Sequence, residues 1–355
     1  MVNPFKFGSV VENEFFTDRV NEVKYIRQFI NSHNHLVLIS PRRFGKSSVV
    51  LKAVKLSDRP FIMLNLQNVT SVTSLASKLL KEIYNINPFQ RLRDFIVNFR
   101  IIPTVTQNPV SGSFDIEFHP SSNPSVVLED VMNLIDNLYS DENRLVIIFD
   151  EFQEIIDINS TLDRQLRSIM QLQKHINYIL LGSQESMMSD IFEKKKSPFY
   201  HFGEMMRLSK IPRNDFEEYI STRLKPCLPK SHEQITAKIL DFTDCHPYYS
   251  QQLASAVWQN AMLEIETDDI VESSINHIVE THNLDYERLW LNFGRKEKWI
   301  LTRLASNEPV NTSEYPTSTI YSSLKKLQKV GYVIYTTRYE IEDPFFKRYI
   351  ILNVN

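Results

Sequence analysis

The sequence predicts an α/β protein with a parallel sheet core, a helical lid domain and a C-terminal winged-helix domain. Three observations support this fold class. Short apolar runs alternate with amphipathic helical patterns in the first part of the chain, which is typical of parallel strands covered on both faces. From about residue 210 the strand patterns vanish, and residues 213–287 are mostly helical in pattern. The end of the chain combines two helical patterns with two short strand patterns.

The elements follow in order from hydrophobic periodicity and turn residues. Helices are predicted at 19–33, 46–56, 72–85, about 125–139, 295–305 and 316–329. Buried strands are predicted at 35–40, 61–66, 145–149 and 178–181. Residues 98–124 interrupt this alternation and predict an inserted hairpin, joined through residues 108–112. A two-stranded wing is predicted at 332–335 and 338–341.

Composition limits the class of protein. The chain has 355 residues, of which 42% are hydrophobic and 23% charged, with a net charge of -3. This composition is that of a folded globular protein, and any contact with nucleic acid must come from a local basic patch. Two cysteines outside any CxxC pair indicate a reducing compartment rather than a disulfide framework. No signal-peptide pattern or membrane-length apolar run is present, so we expect a cytoplasmic protein without a membrane partner.

A phosphate-binding motif follows the first predicted strand. Residues 40–47 read Ser-Pro-Arg-Arg-Phe-Gly-Lys-Ser, close to the GxxxxGK[ST] pattern of a P-loop between a strand and a helix. Gly45 permits close approach of the backbone, Lys46 supplies a charge for the outer phosphates, and Ser47 has a hydroxyl suited to Mg²⁺. Ser40 departs from the pattern, because glycine is expected there. The alternative is a strand, turn and helix with a surface lysine. The predicted ATP- or ADP-contacting residues of this segment are Pro41, Arg42, Arg43, Phe44, Gly45, Lys46, Ser47 and Ser48.

An acidic pair follows the third buried strand. Asp150 and Glu151 come directly after the run 145–149, which is the arrangement of a Walker B segment. We expect Asp150 to hold Mg²⁺ through a water molecule and Glu151 to orient and deprotonate the attacking water. The alternative is a solvated turn at the end of a strand. Because both motifs occur in the correct order, each after an apolar strand, coincidence is disfavoured.

A third polar position follows the fourth strand, in the segment Gly182-Ser183-Gln184. A side chain there is suited to contact the terminal phosphate or the attacking water. Ser183 is the first candidate and Gln184 the second, and an ordinary turn is the alternative. The predicted catalytic set is therefore Glu151, Lys46 and Ser183.

These motifs together resemble the archaeal-type ATPase family of the STAND branch of AAA+ proteins. The resemblance rests on the P-R-R-x-G-K-S loop, on Phe149-Asp-Glu-Phe-Gln153 and on Gly182-Ser183. Weaker matches are the box at 16–22 with Asp18 in place of a glycine, His246-Pro247 after Cys245 in place of a glycine, and Asp343-Pro-Phe-Phe346 at the end. The resemblance implies that residues 10–19, including Arg19, cover the adenine and that Pro247 closes the pocket. The alternatives are a helix N-cap region at 18–19 and a helix that starts with proline at 247.

The resemblance and the patterns give three predicted domains. Residues 1–208 form the P-loop ATPase domain, residues 209–290 the helical lid, and residues 291–355 the winged helix. Related chains often carry an arginine in an L-Y-G-R segment after the fourth strand, where this chain has Phe199-Tyr-His-Phe-Gly203. Arg207 follows, one or two turns away. Because an arginine finger adds on the order of 10³–10⁵ to the rate, its absence predicts slow hydrolysis, or a finger supplied from elsewhere or by a partner.

The last predicted domain has a basic balance. Residues 295–355 contain ten basic and six acidic residues, a balance of 10 − 6 = +4. Its second helix, at about 317–329, has Lys325, Lys326 and Lys329 near its end, where they are suited to DNA phosphates. Asn, Gln and Arg side chains, which are suited to bidentate hydrogen bonds with bases, are scarce on this helix. The alternative is a packing module with solvated lysines.

Three functions fit the sequence to different degrees. The first is an ATPase that uses ATP and Mg²⁺, and the second is a nucleotide-loaded switch that presents its C-terminal domain to DNA or protein. The third, a small-molecule kinase, is disfavoured because no acceptor pocket is evident. The sequence is also compatible with an oligomer.

Overall fold

The computed structural model describes residues 2–87, 99–107, 114–119, 122–265, 267–310 and 314–354. The chain divides into two compact units. The sheet unit consists of Val20–Ser40 and Val49–Leu208. The helical unit consists of Met1–Arg19, Pro41–Ser48 and Ser209–Asn355. None of the helices described combines the length and apolar character that a bilayer crossing requires.

The sheet unit is built on a five-stranded parallel sheet in the order β2-β5-β6-β1-β7. Its strands are β1 Leu36–Ile39, β2 Phe61–Asn65, β5 Leu145–Asp150, β6 Ile176–Gly182 and β7 Glu204–Arg207. Every residue of β1, β5 and β6 is buried. Strands buried on both faces have continuous apolar sequences, which explains why the apolar runs predicted them correctly.

The fifth strand was not predicted. β7 has the sequence Glu-Met-Met-Arg and pairs with β1 at the edge of the sheet, with its two end residues exposed. An edge strand that is only partly buried lacks the apolar run that marks the central strands. The expectation that Arg207 lies one or two turns beyond Gly203 is therefore wrong, because residues 204–207 form an extended strand and not a helix.

Helices and a hairpin cover the sheet. The helices are α1 Val20–Ile30, α2 Lys46–Lys55, α3 Val72–Ile86, α4 Pro124–Leu138, α5 Ile155–Ile158, α6 Leu162–Met170 and α7 Glu185–Phe192. The predicted hairpin is present, with β3 Thr104–Gln107 antiparallel to β4 Phe114–Glu117. Ile116 and Phe118 bury its inner face in the same core as α3 and α4. The predicted connection at 108–112 lies outside the described residues.

The helical unit contains eight complete α-helices among its described residues. They are α8 Arg213–Leu224, α9 His232–Thr243, α10 Pro247–Met262, α11 Ile270–Thr281, α12 Asn283–Asn292, α13 Arg295–Ala305, α14 Thr317–Val330 and α15 Pro344–Asn353. The predicted two-stranded wing is present as β8 Val333–Tyr335 and β9 Tyr339–Ile341, which pair antiparallel. These elements share one apolar core.

The terminal helix α15 was not predicted, although its start has a recognisable pattern. Asp343 caps it by accepting hydrogen bonds from the backbone N–H groups of Phe345 and Phe346, and Pro344 occupies its first turn. An aspartate before a proline is a common helix start. Helix α15 packs against both α11 and α13. The division of this unit at residue 290 stays a prediction.

Candidate nucleotide site

The phosphate loop belongs to the helical unit and has the backbone of a tight turn. Arg43 and Gly45 both take left-handed conformations, with φ of 64° and 86°. Such values favour glycine, and for arginine they mark strain that the surrounding contacts must hold. Helix α2 begins at Lys46, directly after the turn. Backbone N–H groups at the start of a helix have no partner within it and are suited to bind anions.

Lys46 is almost fully buried and lies against its own loop. Its Nζ donates a hydrogen bond to the Pro41 carbonyl oxygen at 3.0 Å, and the residue is 5% exposed. The ammonium group is therefore held over the loop rather than extended into solvent. This burial disfavours the alternative of a surface lysine, and the contact of Lys46 with phosphates stays a prediction.

The N-terminal segment contacts the loop at two points. Arg19 is buried, and its Nη2 donates to the carbonyl oxygens of Phe44 at 3.4 Å and Ser209 at 2.6 Å. Ser48 Oγ accepts a hydrogen bond from the Val11 backbone N–H at 3.0 Å. Arg19 and Ser48 were both predicted to contact nucleotide. In the structure each joins the N-terminal segment to the loop, so their direct contact with nucleotide stays a prediction.

Pro247 is the first residue of α10, and the residue before it caps the helix. The ring Nδ1 of His246 accepts hydrogen bonds from the backbone N–H groups of Tyr248 and Tyr249. The His246 ring also packs edge-on against Phe44 of the loop, with centroids 4.8 Å apart. Burial lowers the pKa of His246, against the opposing effect of Glu342. A neutral ring that accepts at Nδ1 carries its proton on Nε2.

The acidic pair belongs to the sheet unit. Asp150 is the last residue of β5, and its Oδ1 accepts a hydrogen bond from the Glu151 backbone N–H at 3.0 Å. Glu151 takes a left-handed conformation with φ of 55°, so the chain turns sharply as it leaves the sheet. Two side chains donate to Glu151 Oε2, namely Ser183 Oγ at 2.6 Å and Gln153 Nε2 at 2.5 Å. Within the described part of the chain, these two side-chain bonds both hold Glu151 through Oε2.

The order of strands explains why Glu151 and Ser183 meet. β5 and β6 are parallel neighbours, and β6 is followed by Ser183. The carboxyl ends of parallel strands lie at one edge of a sheet, which is where α/β proteins bind ligands. β6 also pairs with β1, which leads into the phosphate loop, and the Ser40 backbone N–H donates to the Gly182 carbonyl. A Cβ at Gly182 would lie 2.3 Å from Met188 Sδ, so a larger residue there would require the Met188 side chain to move.

Several residues of the site were not found from the sequence. Gln153 was noted only as part of a motif, and its contact with Glu151 depends on the short helix at Phe152–Glu154. Tyr249 contacts the loop residue Arg43 directly, and Glu342 contacts Tyr249. More than 200 residues separate Arg43 from each of them. The second candidate, Gln184, is the residue before α7 and makes no side-chain cap bond there.

The parallel sheet, the loop before α2 and the acidic end of β5 define a P-loop NTPase of AAA+-like fold. The chain belongs to the family described as an ATPase domain predominantly from Archaea, whose model matches residues 16–253. The predicted membership of an archaeal-type ATPase family is therefore confirmed. No curated protein matches the sequence.

Solved structures support the same fold over nearly the whole chain. The Walker-type ATPase of Pyrococcus abyssi is 17% identical, with a TM-score of 0.66 over 96% of this chain and 97% of that one. The Orc2 protein of Aeropyrum pernix, solved with ADPNP and ADP, is 16% identical, with a TM-score of 0.56 over 98% and 97%. The Orc1 protein of Aeropyrum pernix in complex with DNA is 10% identical, with a TM-score of 0.53 over 96% and 93%.

Proposed function

We propose that this chain binds ATP with Mg²⁺ and hydrolyses it slowly to ADP and phosphate. The observation that carries the proposal is the hydrogen bonding of Glu151. Ser183 and Gln153 both donate to Oε2, which leaves Oε1 as the oxygen that takes a proton from water. A carboxylate held in this way after a buried strand is suited to act as a general base.

The donor set at the two motifs fits Mg²⁺. The Ser47 hydroxyl, and the Asp150 carboxylate through a water molecule, would supply oxygen groups of the kind that Mg²⁺ prefers. When bound, Mg²⁺ neutralises charge on the outer phosphates. The Lys46 ammonium and the N–H groups at the start of α2 would hold the same phosphates. Arg19 and Pro247 would line the adenine side, as the family resemblance implies.

In the hydrolysis step, the oxygen of a water attacks the terminal phosphorus while its proton passes to Glu151 Oε1. The bond from this phosphorus to the bridging oxygen breaks, and ADP leaves. Ser183 keeps Glu151 aligned throughout. Slow turnover is supported by the sequence of 199–203, which contains no arginine. Arg207, the nearest arginine that follows, pairs with Glu193 at 2.9 Å.

The experiment compares phosphate release and ATP binding by the unaltered chain, by Glu151→Gln and by the control Asp157→Asn. Asp157 is an exposed carboxylate in α5. We expect Glu151→Gln to lose at least about 100-fold in turnover, since general bases contribute roughly 10²–10⁴, while its ATP affinity changes little. Turnover that survives in Glu151→Gln contradicts the assigned base. Nucleotide binding without turnover in any protein supports the alternative, a switch that does not hydrolyse.

DNA is a second candidate ligand, favoured by one surface of the proposed winged helix. Tyr321, Lys325 and Lys329 are all exposed on α14, and their spacing of four residues places them on one helix face. Lys325 Nζ lies 5.5 Å from the centre of the Tyr321 ring. By contrast, Lys326 pairs with Glu297 at 2.6 Å. We propose that the helix face formed by Tyr321, Lys325 and Lys329 contacts DNA phosphates. The similarity of fold to Orc1 in complex with DNA supports this proposal.

A further inference from the structure

The loop residue Arg43 is held by two aromatic side chains of α10. Its Nη1 donates a hydrogen bond to the Tyr249 hydroxyl oxygen at 2.6 Å, and its Cζ lies 4.7 Å from the centre of the Tyr248 ring. A guanidinium group bound at its edge and stacked on its face has a fixed orientation. These contacts compensate the left-handed backbone of Arg43, which is otherwise unfavourable.

The Tyr249 hydroxyl connects Arg43 to the C-terminal part of the chain. It donates to Glu342 Oε2 at 2.7 Å. Because a hydroxyl has a single hydrogen, this bond leaves its lone pairs for the N–H of Arg43. Burial raises the pKa of Tyr249 well above its ordinary value, so the hydrogen stays on the hydroxyl. The three groups therefore form a directed chain of hydrogen bonds from Arg43 through Tyr249 to Glu342.

Glu342 is itself fixed in place. It follows β9, and its backbone N–H donates to the Tyr332 carbonyl oxygen at 3.1 Å. Its Oε1 lies 3.4 Å from His246 Nε2, and its side chain is only 10% exposed. The neighbouring Lys210 pairs with Asp244 and Glu340 instead. Arg43 thus lies at the exposed end of a chain of polar groups, and the C-terminal segment anchors the buried end at Glu342.

We infer that Tyr249 and Glu342 are positioning residues that hold Arg43 for the terminal phosphate of ATP, and that they set the preference for ATP over ADP. The inference rests on the proposed binding of ATP by this loop. A guanidinium group has five N–H donors, and within the described residues only one hydrogen bond from Arg43 is found, to Tyr249. The remaining donors suit a bidentate contact with a phosphate. A group that is already oriented binds more tightly, because less entropy is lost.

The test measures the affinity of the full chain for ADPNP and for ADP by titration calorimetry. Tyr249→Phe removes only the hydroxyl. We expect its affinity for ADPNP to fall about 10-fold, as for one hydrogen bond to a charged group, and its affinity for ADP to fall less than about 3-fold. The matched control is Tyr286→Phe, which removes the hydroxyl of another buried tyrosine, bonded to Asp343 at 3.2 Å. It should leave both affinities unchanged.

Two further variants separate positioning from a loss of folding. Glu342→Gln should lower the preference for ADPNP, whereas the control Glu340→Gln should not. Arg43 is exposed, so Arg43→Gln is expected to fold, and in that background Tyr249→Phe should have no further effect on ADPNP binding. Non-additivity of this kind is expected only if the two residues act through one another.

The outcomes distinguish this inference from the proposed function. If the unaltered chain binds neither nucleotide, both are overturned. If it binds ADPNP normally but Tyr249→Phe matches it, or loses affinity equally for ADPNP and ADP, the positioning role is overturned and ATP binding stands. A selective loss for ADPNP, absent in the Arg43→Gln background, supports it.

Discussion

Ser183 Oγ donates a hydrogen bond to Glu151 Oε2 at 2.6 Å, which joins the polar ends of the neighbouring strands β6 and β5. The bond fixes the carboxylate before any substrate arrives. Its loss should therefore affect the chemical step more than binding. Both residues are candidates from the sequence, but only the structure shows that one acts through the other.

We predict that Ser183→Ala lowers the turnover of ATP by about 10-fold to 100-fold, within the range that a positioned base contributes. Its affinity for ATP should stay within a factor of about two, because the hydroxyl holds Glu151 and not the nucleotide. The measurement is steady-state phosphate release together with equilibrium binding. Ser186→Ala, an exposed serine on α7, is the control. Equal turnover in Ser183→Ala and the unaltered chain would show that the bond has no catalytic role.

We predict that Lys46→Ala weakens ATP binding by at least about 100-fold. The ammonium group is buried over the loop and bonded to the Pro41 carbonyl, and hydrogen bonds to charged groups contribute about 1.5–3 kcal/mol each. Two such bonds to phosphates correspond to a change of this size. The control is Lys55→Ala, at the exposed end of the same helix. Tight binding of ATP by Lys46→Ala would remove the phosphate loop from the proposal.

The sequence is a good guide to the fold where burial is complete and a poor one where it is partial. The runs that became β1, β5 and β6 are apolar throughout because parallel neighbours and helices cover both faces. The edge strand β7 and the terminal helix α15 lack such a pattern. The periodicity of hydrophobic residues reflects burial, so it predicts partly buried elements less accurately.

The site divides in the same way. Lys46, Asp150 and Glu151 can be proposed from the sequence because each directly follows a buried strand or the loop after it, and this order is visible in the sequence itself. The chain from Arg43 through Tyr249 to Glu342 was not found. It joins segments about 200 and 90 residues apart, and only tertiary packing brings them together. No pattern within a short window contains that information.

We predict that Asp18→Gly stabilises the protein by about 0.5 kcal/mol. Asp18 occupies the position at which the resembling motif has glycine, and its φ is 49°. Left-handed backbone costs most L-residues roughly 1–2 kcal/mol, less for aspartate, and the greater freedom of glycine in the unfolded chain offsets part of the gain. The measurement is urea unfolding. The control, Glu218→Gly within the helix α8, should destabilise by about 1 kcal/mol. A loss of stability in Asp18→Gly would contradict the inference that the left-handed backbone of Asp18 is strained.

We predict that Asp343→Asn increases stability at neutral pH and leaves it unchanged near pH 4. Burial, reinforced by Glu342, raises the pKa of Asp343 to about 6. The folded state therefore holds a proton that the unfolded chain releases near pH 4, so this stabilising contribution is lost as pH rises through 6. The cost at pH 7 is about 3 kcal/mol for a shift of this size. Asparagine keeps the cap, since its side-chain oxygen also accepts from Phe345 and Phe346.

The measurement for Asp343→Asn is the free energy of unfolding at several pH values between 4 and 7. The control is Asp269→Asn, a second helix cap that accepts two backbone hydrogen bonds. The bond from Lys238 lowers the pKa of Asp269, so this variant should lose stability at pH 7, the opposite sign. A difference between Asp343→Asn and the parent that does not change with pH would contradict the raised pKa.

We predict that DNA binding by the full chain is steeply dependent on salt, and that Lys325→Ala with Lys329→Ala lowers the slope. Each phosphate contact releases bound counterions, so the logarithm of affinity falls by about 0.9 per contact for each unit in the logarithm of salt. Loss of two contacts should reduce the slope by about 1.8. The measurement is fluorescence anisotropy with duplex DNA from 50 to 200 mM salt, on the order of the range in which such contacts are resolved. The matched control replaces Lys195 and Lys196, which are exposed in a loop of the sheet unit. An affinity that is flat in salt, or a slope that only the control pair changes, would exclude α14 as a phosphate-binding surface.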